Sequence, residues 1–147
     1  MKESSFIHLS HNVSNLVYHF VCPAKYRRVV MSEGVEECIR QTCVGIALRY
    51  EWIEFLEIGV DSDHVHFLIQ SVPDRSPTEI IRVVKSLTAK RVFAEHPEIK
   101  KQLWGSEFWS DGYFVSTVGK YTNESVVREY VKNQGTQGSY KQLYLKM

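Results

Sequence analysis

Two histidines one residue apart, His64 and His66, head the run His64-Val65-His66-Phe67-Leu68-Ile69. Phe67, Leu68 and Ile69 favour a strand, where side chains alternate between faces, so both imidazoles point the same way. Two neutral imidazoles converging from one rigid strand make half of a divalent-metal site. The same spacing also suits one exposed histidine beside a hydrogen-bonded, semi-buried one. A second constellation lies in Val126-Val127-Arg128-Glu129-Tyr130-Val131-Lys132-Asn133-Gln134, where Tyr130 and Gln134 are four apart and share a helix face. A phenol with a pKa of about 10 is a poor nucleophile near neutrality. Beside a divalent cation that polarises a phosphodiester, it can attack phosphorus and form a covalent phosphotyrosine. Gln134, one turn on, offers a carbonyl oxygen as a third metal ligand, leaving positions for substrate phosphate oxygens. Helical spacing favours it over Asn133, which turns away from the Tyr130 face. Tyr130 fits equally as a core aromatic beside Val126, Val127 and Val131, with Gln134 solvated. Asp61 and Asp63 lie close to the histidines, but strand parity aims them the other way unless the turn bends.

Lys25-Tyr26-Arg27-Arg28 interleaves positive charge with an aromatic ring, which suits phosphate contacts plus base stacking on single strands or hairpin loops. Arg82, Lys85, Lys90 and Arg91 give a second basic stretch; either group also reads as a solvated charged face. Net charge is only +1, so any nucleic-acid partner must be met by such local patches. The 147 residues fit one domain, 1–147, with room for a core, and 44% hydrophobic with 24% charged residues is a globular balance. Cys22, Cys38 and Cys43 form no Cys-x-x-Cys pair and read as reduced thiols. No apolar run approaches the ~20 residues of a membrane span, and Met1-Lys2-Glu3-Ser4-Ser5 lacks a signal-peptide core. A soluble, cytoplasmic protein with no membrane partner is expected.

The elements that must position these residues can be read in order. Leu16-Val17-Tyr18-His19-Phe20-Val21 predicts a strand ended by Pro23. Ser32 caps a helix over 33 to 49, with Val35, Cys38, Ile39, Thr42, Cys43 and Ile46 as its buried face. Gly45 costs this helix about 1 kcal/mol against Ala, which predicts close packing on a sheet there. A strand over 52 to 60 turns through Asp61-Ser62-Asp63 into the histidine strand, 64 to 72, as a hairpin. Ser76-Pro77-Thr78-Glu79 starts a helix running to about Glu95, with Ile80, Ile81, Val84 and Leu87 buried, and His96-Pro97 stops it. A loop carrying Trp104 and Trp109 leads to a strand over 113 to 118, broken by Gly119. Asn123 then caps a last helix, 124 to about 134, ended by Gly135 and Gly138. This order predicts an α+β, ferredoxin-like split βαβ fold: an antiparallel sheet with helices on one face, plus an extra C-terminal helix carrying the tyrosine. The first and third strands form the central pair, placing the histidines mid-sheet.

His-hydrophobic-His on a strand, followed by a late helix reading Val-Val-Arg-Glu-Tyr-Val-Lys-Asn-Gln, resembles the HUH single-tyrosine transposases of small bacterial insertion sequences. The likeness covers most of the chain. His19-Phe20-Val21-Cys22-Pro23-Ala24-Lys25-Tyr26-Arg27-Arg28 is similar to that family's first-strand signature, and Leu103-Trp104 with Gly112-Tyr113-Phe114-Val115-Ser116-Thr117-Val118-Gly119 to its aromatic loop and fourth strand. The resemblance implies excision and insertion of a mobile element as single-stranded DNA, with recognition of hairpins near its ends and a need for Mg²⁺ or Mn²⁺. By position, His64 and His66 match the metal ligands, Gln134 the third ligand and Tyr130 the nucleophile. It also implies a homodimer in which the tyrosine helix of one subunit completes the histidine site of the other, with Gly119 as the hinge. Two other classes compete. A non-catalytic single-stranded nucleic-acid-binding module shares this fold, but no RRM-type Arg/Lys-Gly-Phe-Gly-Phe signature is present. A two-histidine phosphoesterase needs two His-x-Ser/Thr motifs, and the chain has only His8-Leu9-Ser10.

Overall fold

The computed structural model describes residues 7–8, 13–14, 16–104 and 107–118. The expected helix over 124 to 134, with Tyr130, Gln134 and the hinge at Gly119, lies outside the described residues. Two two-residue strands, β1 (Ile7–His8) and β2 (Val13–Ser14), pair antiparallel with each other. They are too short to carry an alternation in sequence, and the sequence reading did not include them.

β3 (Leu16–Pro23) reaches two residues past Val21 and ends on the proline, which has no N–H to extend the ladder. α1 (Glu33–Arg49) starts as expected, Ser32 Oγ accepting from the Val35 N–H at 3.3 Å, and buries the six residues named for it. Gly45 does not behave as expected. A Cβ built there would meet nothing within 4 Å, so the glycine faces open space and serves no close approach. β4 (Glu54–Val60) and β5 (His64–Ser71) form the hairpin. Their register slips between Phe55 and Glu57, leaving Leu56 as an extra residue, a β-bulge on this edge strand. α2 (Pro77–Glu95) carries a full capping box between Ser76 and Glu79. Leu87 is only partly buried; Thr88 takes its place in the buried stripe. A hydroxyl is tolerated there because Thr88 Oγ1 donates to the Val84 carbonyl and accepts from Trp109 Nε1 at 3.0 Å. Pro97 both stops α2 and opens a short helix the sequence reading left out, α3 (Pro97–Gln102). β6 (Phe114–Thr117) completes the sheet.

The sheet order is β4-β5-β3-β6, antiparallel throughout, which is the ferredoxin-like arrangement with β3 and β5 in the centre. Strand parity splits it into two faces. Tyr18, Phe20 and Cys22 of β3 and Val65, Phe67 and Ile69 of β5 pack against the buried stripes of α1 and α2. Val17 and Leu68, with Leu56 and Val118 against them, belong to the opposite face. His19, His64, His66 and Gln70 share that second face by parity, and all four are buried. No helix among the described residues is long and apolar enough to cross a membrane.

Candidate metal and nucleic-acid site

Parity on β5 brings His64 and His66 together with ring centroids 4.9 Å apart. A third imidazole joins them. In the β3–β5 ladder His19 pairs with Leu68, so it is the diagonal neighbour of His66 on the same face. His19 Nε2 lies 3.0 Å from His66 Nδ1. The two rings are within 7° of parallel and their centroids 5.2 Å apart, close to the N···N distance plus a ring radius at each end. The rings therefore meet edge to edge in nearly one plane, the direction in which an imidazole N–H and lone pair lie. Phe114 closes the other side of His19 edge-on.

His64 is held differently. Its Nδ1 is 2.7 Å from Asp63 Oδ1, and Asp63 Oδ2 in turn accepts from Arg27 Nε at 3.2 Å. Parity does not send Asp63 away because β5 begins at His64, and Asp61-Ser62-Asp63 is a bent turn in which the Asp61 N–H donates to the His64 carbonyl. Asp61 Oδ2 comes within 3.8 Å of His64 Nε2, too far for a hydrogen bond. In both ligand candidates the nitrogen engaged by an outer partner is thus Nδ1, and the nitrogen these bonds do not use is Nε2. That is the arrangement of metal-bound histidines, whose second ring N–H is donated to a carboxylate or another acceptor.

Burial keeps the His19 and His66 rings neutral. Burial lowers the His19 pKa to about 4; burial, then the neighbouring His19 and His64, lowers that of His66 to about 2. Partial burial pushes the Asp63 carboxyl up, but the His64 and Arg27 hydrogen bonds outweigh it and the net shift is downward. Two imidazoles from one strand fit a divalent cation, and Mg²⁺ or Mn²⁺ would need oxygen ligands besides. Among the described residues no group of three or more His, Cys, Asp or Glu side chains is placed to hold a metal ion. The three cysteines are buried thiols away from this chemistry, burial pushing Cys22 and Cys43 up to about 12.

The basic residues divide by what already holds them. Lys25 pairs with Glu107 at 2.7 Å, Arg27 with Asp63, and Arg91 with Glu95. Lys85 Nζ donates to the carbonyls of Ser110 and Gly112 at 2.9 and 2.8 Å, pinning the loop before β6 onto α2. Arg82 and Lys90 are exposed beside a cleft of about 540 Å³ between α2 and residues 107–113. Tyr26 and Arg27 adopt left-handed backbone, with φ of 60° and 52°, in a single 3-10 turn (Lys25–Arg27) that leaves the Tyr26 ring exposed. The Arg28 guanidinium lies 5.1 Å from the ring centroid of Trp104, which is 78% exposed. Three features escaped the sequence reading: the contact of His19 with His66, the acceptor role of Asp63, and the pairing of Trp104 with Arg28. The first had a signal, since His19 has the parity of Val17 and Val21 and not that of the core residues Tyr18 and Phe20.

Residues 12–134 match the family model described as "Transposase IS200 like". The chain belongs to the IS200-like transposase family. It is 30% identical over 132 residues to the transposase for insertion sequence element IS200 of Salmonella typhimurium, covering 86% of this chain and 81% of that protein. It is 29% identical over 122 residues to the ISDra2 transposase TnpA of Deinococcus radiodurans, covering 83% and 86%. A crystal structure from Deinococcus radiodurans, described as that of a transposase, superposes with a TM-score of 0.63 at 26% identity, over 87% of this transposase and 97% of that chain. The structure of a REP-associated tyrosine transposase bound to a REP hairpin superposes with a TM-score of 0.54 at 10% identity, over 85% of this chain and 67% of that one, a likeness of fold.

Proposed function

We propose that this transposase cleaves and rejoins single-stranded DNA at insertion-sequence ends through a 5′-phosphotyrosine on Tyr130, in a metal-dependent reaction on DNA it recognises by hairpins. The observation that carries the reading is the paired histidines on β5, both with Nδ1 given to an outer partner, in a chain of this family. His64, His66 and Gln134 would hold Mg²⁺ or Mn²⁺. When bound, the cation supplies positive charge to the scissile phosphate as negative charge gathers on its oxygens. Tyr130 Oη attacks phosphorus in line, the P–O3′ bond breaks, and the 3′ oxygen leaves as a hydroxyl once protonated. The new phosphotyrosine ester conserves the energy of the broken bond, so a second strand's 3′-OH can attack it, reseal DNA and release the tyrosine without a nucleotide cofactor. One nucleophilic tyrosine per chain suits a homodimer, which offers two for two strand exchanges.

The test is a denaturing gel of wild type and Tyr130→Phe incubated with labelled single-stranded element-end DNA and Mg²⁺ or Mn²⁺. The expected result is a protease-sensitive protein–DNA adduct from wild type alone, abolished by EDTA. Hairpin binding with no adduct in either metal would overturn the nuclease assignment in favour of a binding module. In the same assay, mixing His64→Ala/His66→Ala protein with Tyr130→Phe protein should restore cleavage if active sites are shared between subunits. No recovery despite confirmed heterodimers would exclude sharing.

A further inference from the structure

We propose that His19 is a positioning residue for the metal site: its Nε2 accepts the Nδ1–H of His66, locking His66 in the tautomer whose Nε2 lone pair can face a cation. The inference rests on the metal reading above and deepens it. A neutral imidazole has one N–H, so the 3.0 Å contact between two neutral rings holds a single proton, on His19 or on His66. If His19 donated, the His66 proton would sit on Nε2 and that nitrogen could not ligate. If His66 donates from Nδ1, Nε2 is the ligating nitrogen, matching His64, whose Nδ1 faces a carboxylate that can only accept.

The geometry favours a device over an accident of packing. The two rings are close to coplanar across the central strand pair of the sheet, which is its most constrained part. His19 is 2% exposed and His66 1% exposed, so water does not substitute for either partner at the contact. Phe114 of β6 lies against the His19 ring from the other side. The diagonal relation between a β3 residue and a β5 residue two positions before its ladder partner fixes the contact in the backbone itself. The two ligands are thereby oriented by unlike partners, a carboxylate in the β4–β5 turn for His64 and a buried imidazole on a central strand for His66.

The experiment uses the full chain and Mn²⁺ alone as probe. Long-range ¹H–¹⁵N correlation spectra of the metal-free protein should place the His66 proton on Nδ1; a proton on Nε2 overturns the proposal. Mn²⁺ affinity, read by electron paramagnetic resonance, should fall about 10–100-fold in His19→Phe, the loss typical of outer-partner removal. It should recover in His19→Gln, which restores an acceptor of similar reach. Loss of Mn²⁺ binding in His64→Ala/His66→Ala but wild-type binding in His19→Phe refutes the role of His19 alone. Wild-type binding in all of these variants refutes the metal site, and this inference with it.

Discussion

His19 and His66 are buried, and their folded pKa values of about 4 and about 2 lie below the ordinary imidazole value of 6.5. As pH falls below 6.5, the unfolded chain therefore takes up protons that the folded chain refuses. The stability they confer is complete above that pH and drains away through the window down to about 4, with His66 continuing to lower pH. Each such group costs up to about 1.4 kcal/mol per pH unit within its window. Urea denaturation of the metal-free protein should give a lower midpoint at pH 5 than at pH 7.5, and a smaller drop in His19→Phe. A midpoint that holds or rises on acidification would contradict a neutral pair. At this scale the sequence exposed the two β5 histidines, because a period of two needs only local parity. It did not expose Asp63, whose approach to His64 depends on where the turn stops and the strand begins. Parity within β3 places His19 on the non-core face, but its contact with His66, 47 residues on, needed the register between the two strands as well.

At the scale of elements, both long helices begin where their N-caps stand in the sequence, at Ser32 and Ser76. A side chain bonding a backbone N–H three residues on is a wholly local signal. The same locality failed for Gly45, since a gap in the apolar stripe says nothing of what lies opposite. With no neighbour within 4 Å, Gly45→Ala should stabilise the protein by about 0.5–1 kcal/mol by favouring the helix. Chemical denaturation would show it as a raised midpoint at constant slope, and a lowered midpoint would mean the site is occupied. Leu87 and Thr88 traded places because apolarity alone ranks leucine first. The bonds of Thr88 to Val84 and Trp109 come from the fold and are invisible in a helical period. The bulge at Leu56 and the short α3 helix likewise had no periodic signature.

For the molecule as a whole, a net charge of +1 leaves DNA attraction to local basic patches. Lys25 is tied to Glu107 and Lys85 to two carbonyls, while Arg82 and Lys90 stand exposed at the α2 cleft. Arg82→Ala/Lys90→Ala should weaken hairpin-DNA binding and make log affinity against log salt shallower by roughly one to two units. Lys25→Ala should change the slope less, its charge being already matched by Glu107. Fluorescence anisotropy across a salt series would measure both, and an unchanged slope in the double variant would remove this face from the DNA surface. The overall architecture was legible because the alternation of strands and helices admits few sheet orders, and the order β4-β5-β3-β6 is the expected one. That order also sets a sequence in time. The β4–β5 hairpin closes a short loop and can zip early, whereas β3 must wait for β5 to be made, and its other side for β6. The imidazole contact across β3 and β5 is therefore absent from any nascent segment that stops short of β5. A ribosome-held chain ending before β5 carries His19 with no partner and one half of a clasp that closes only after synthesis has passed His66.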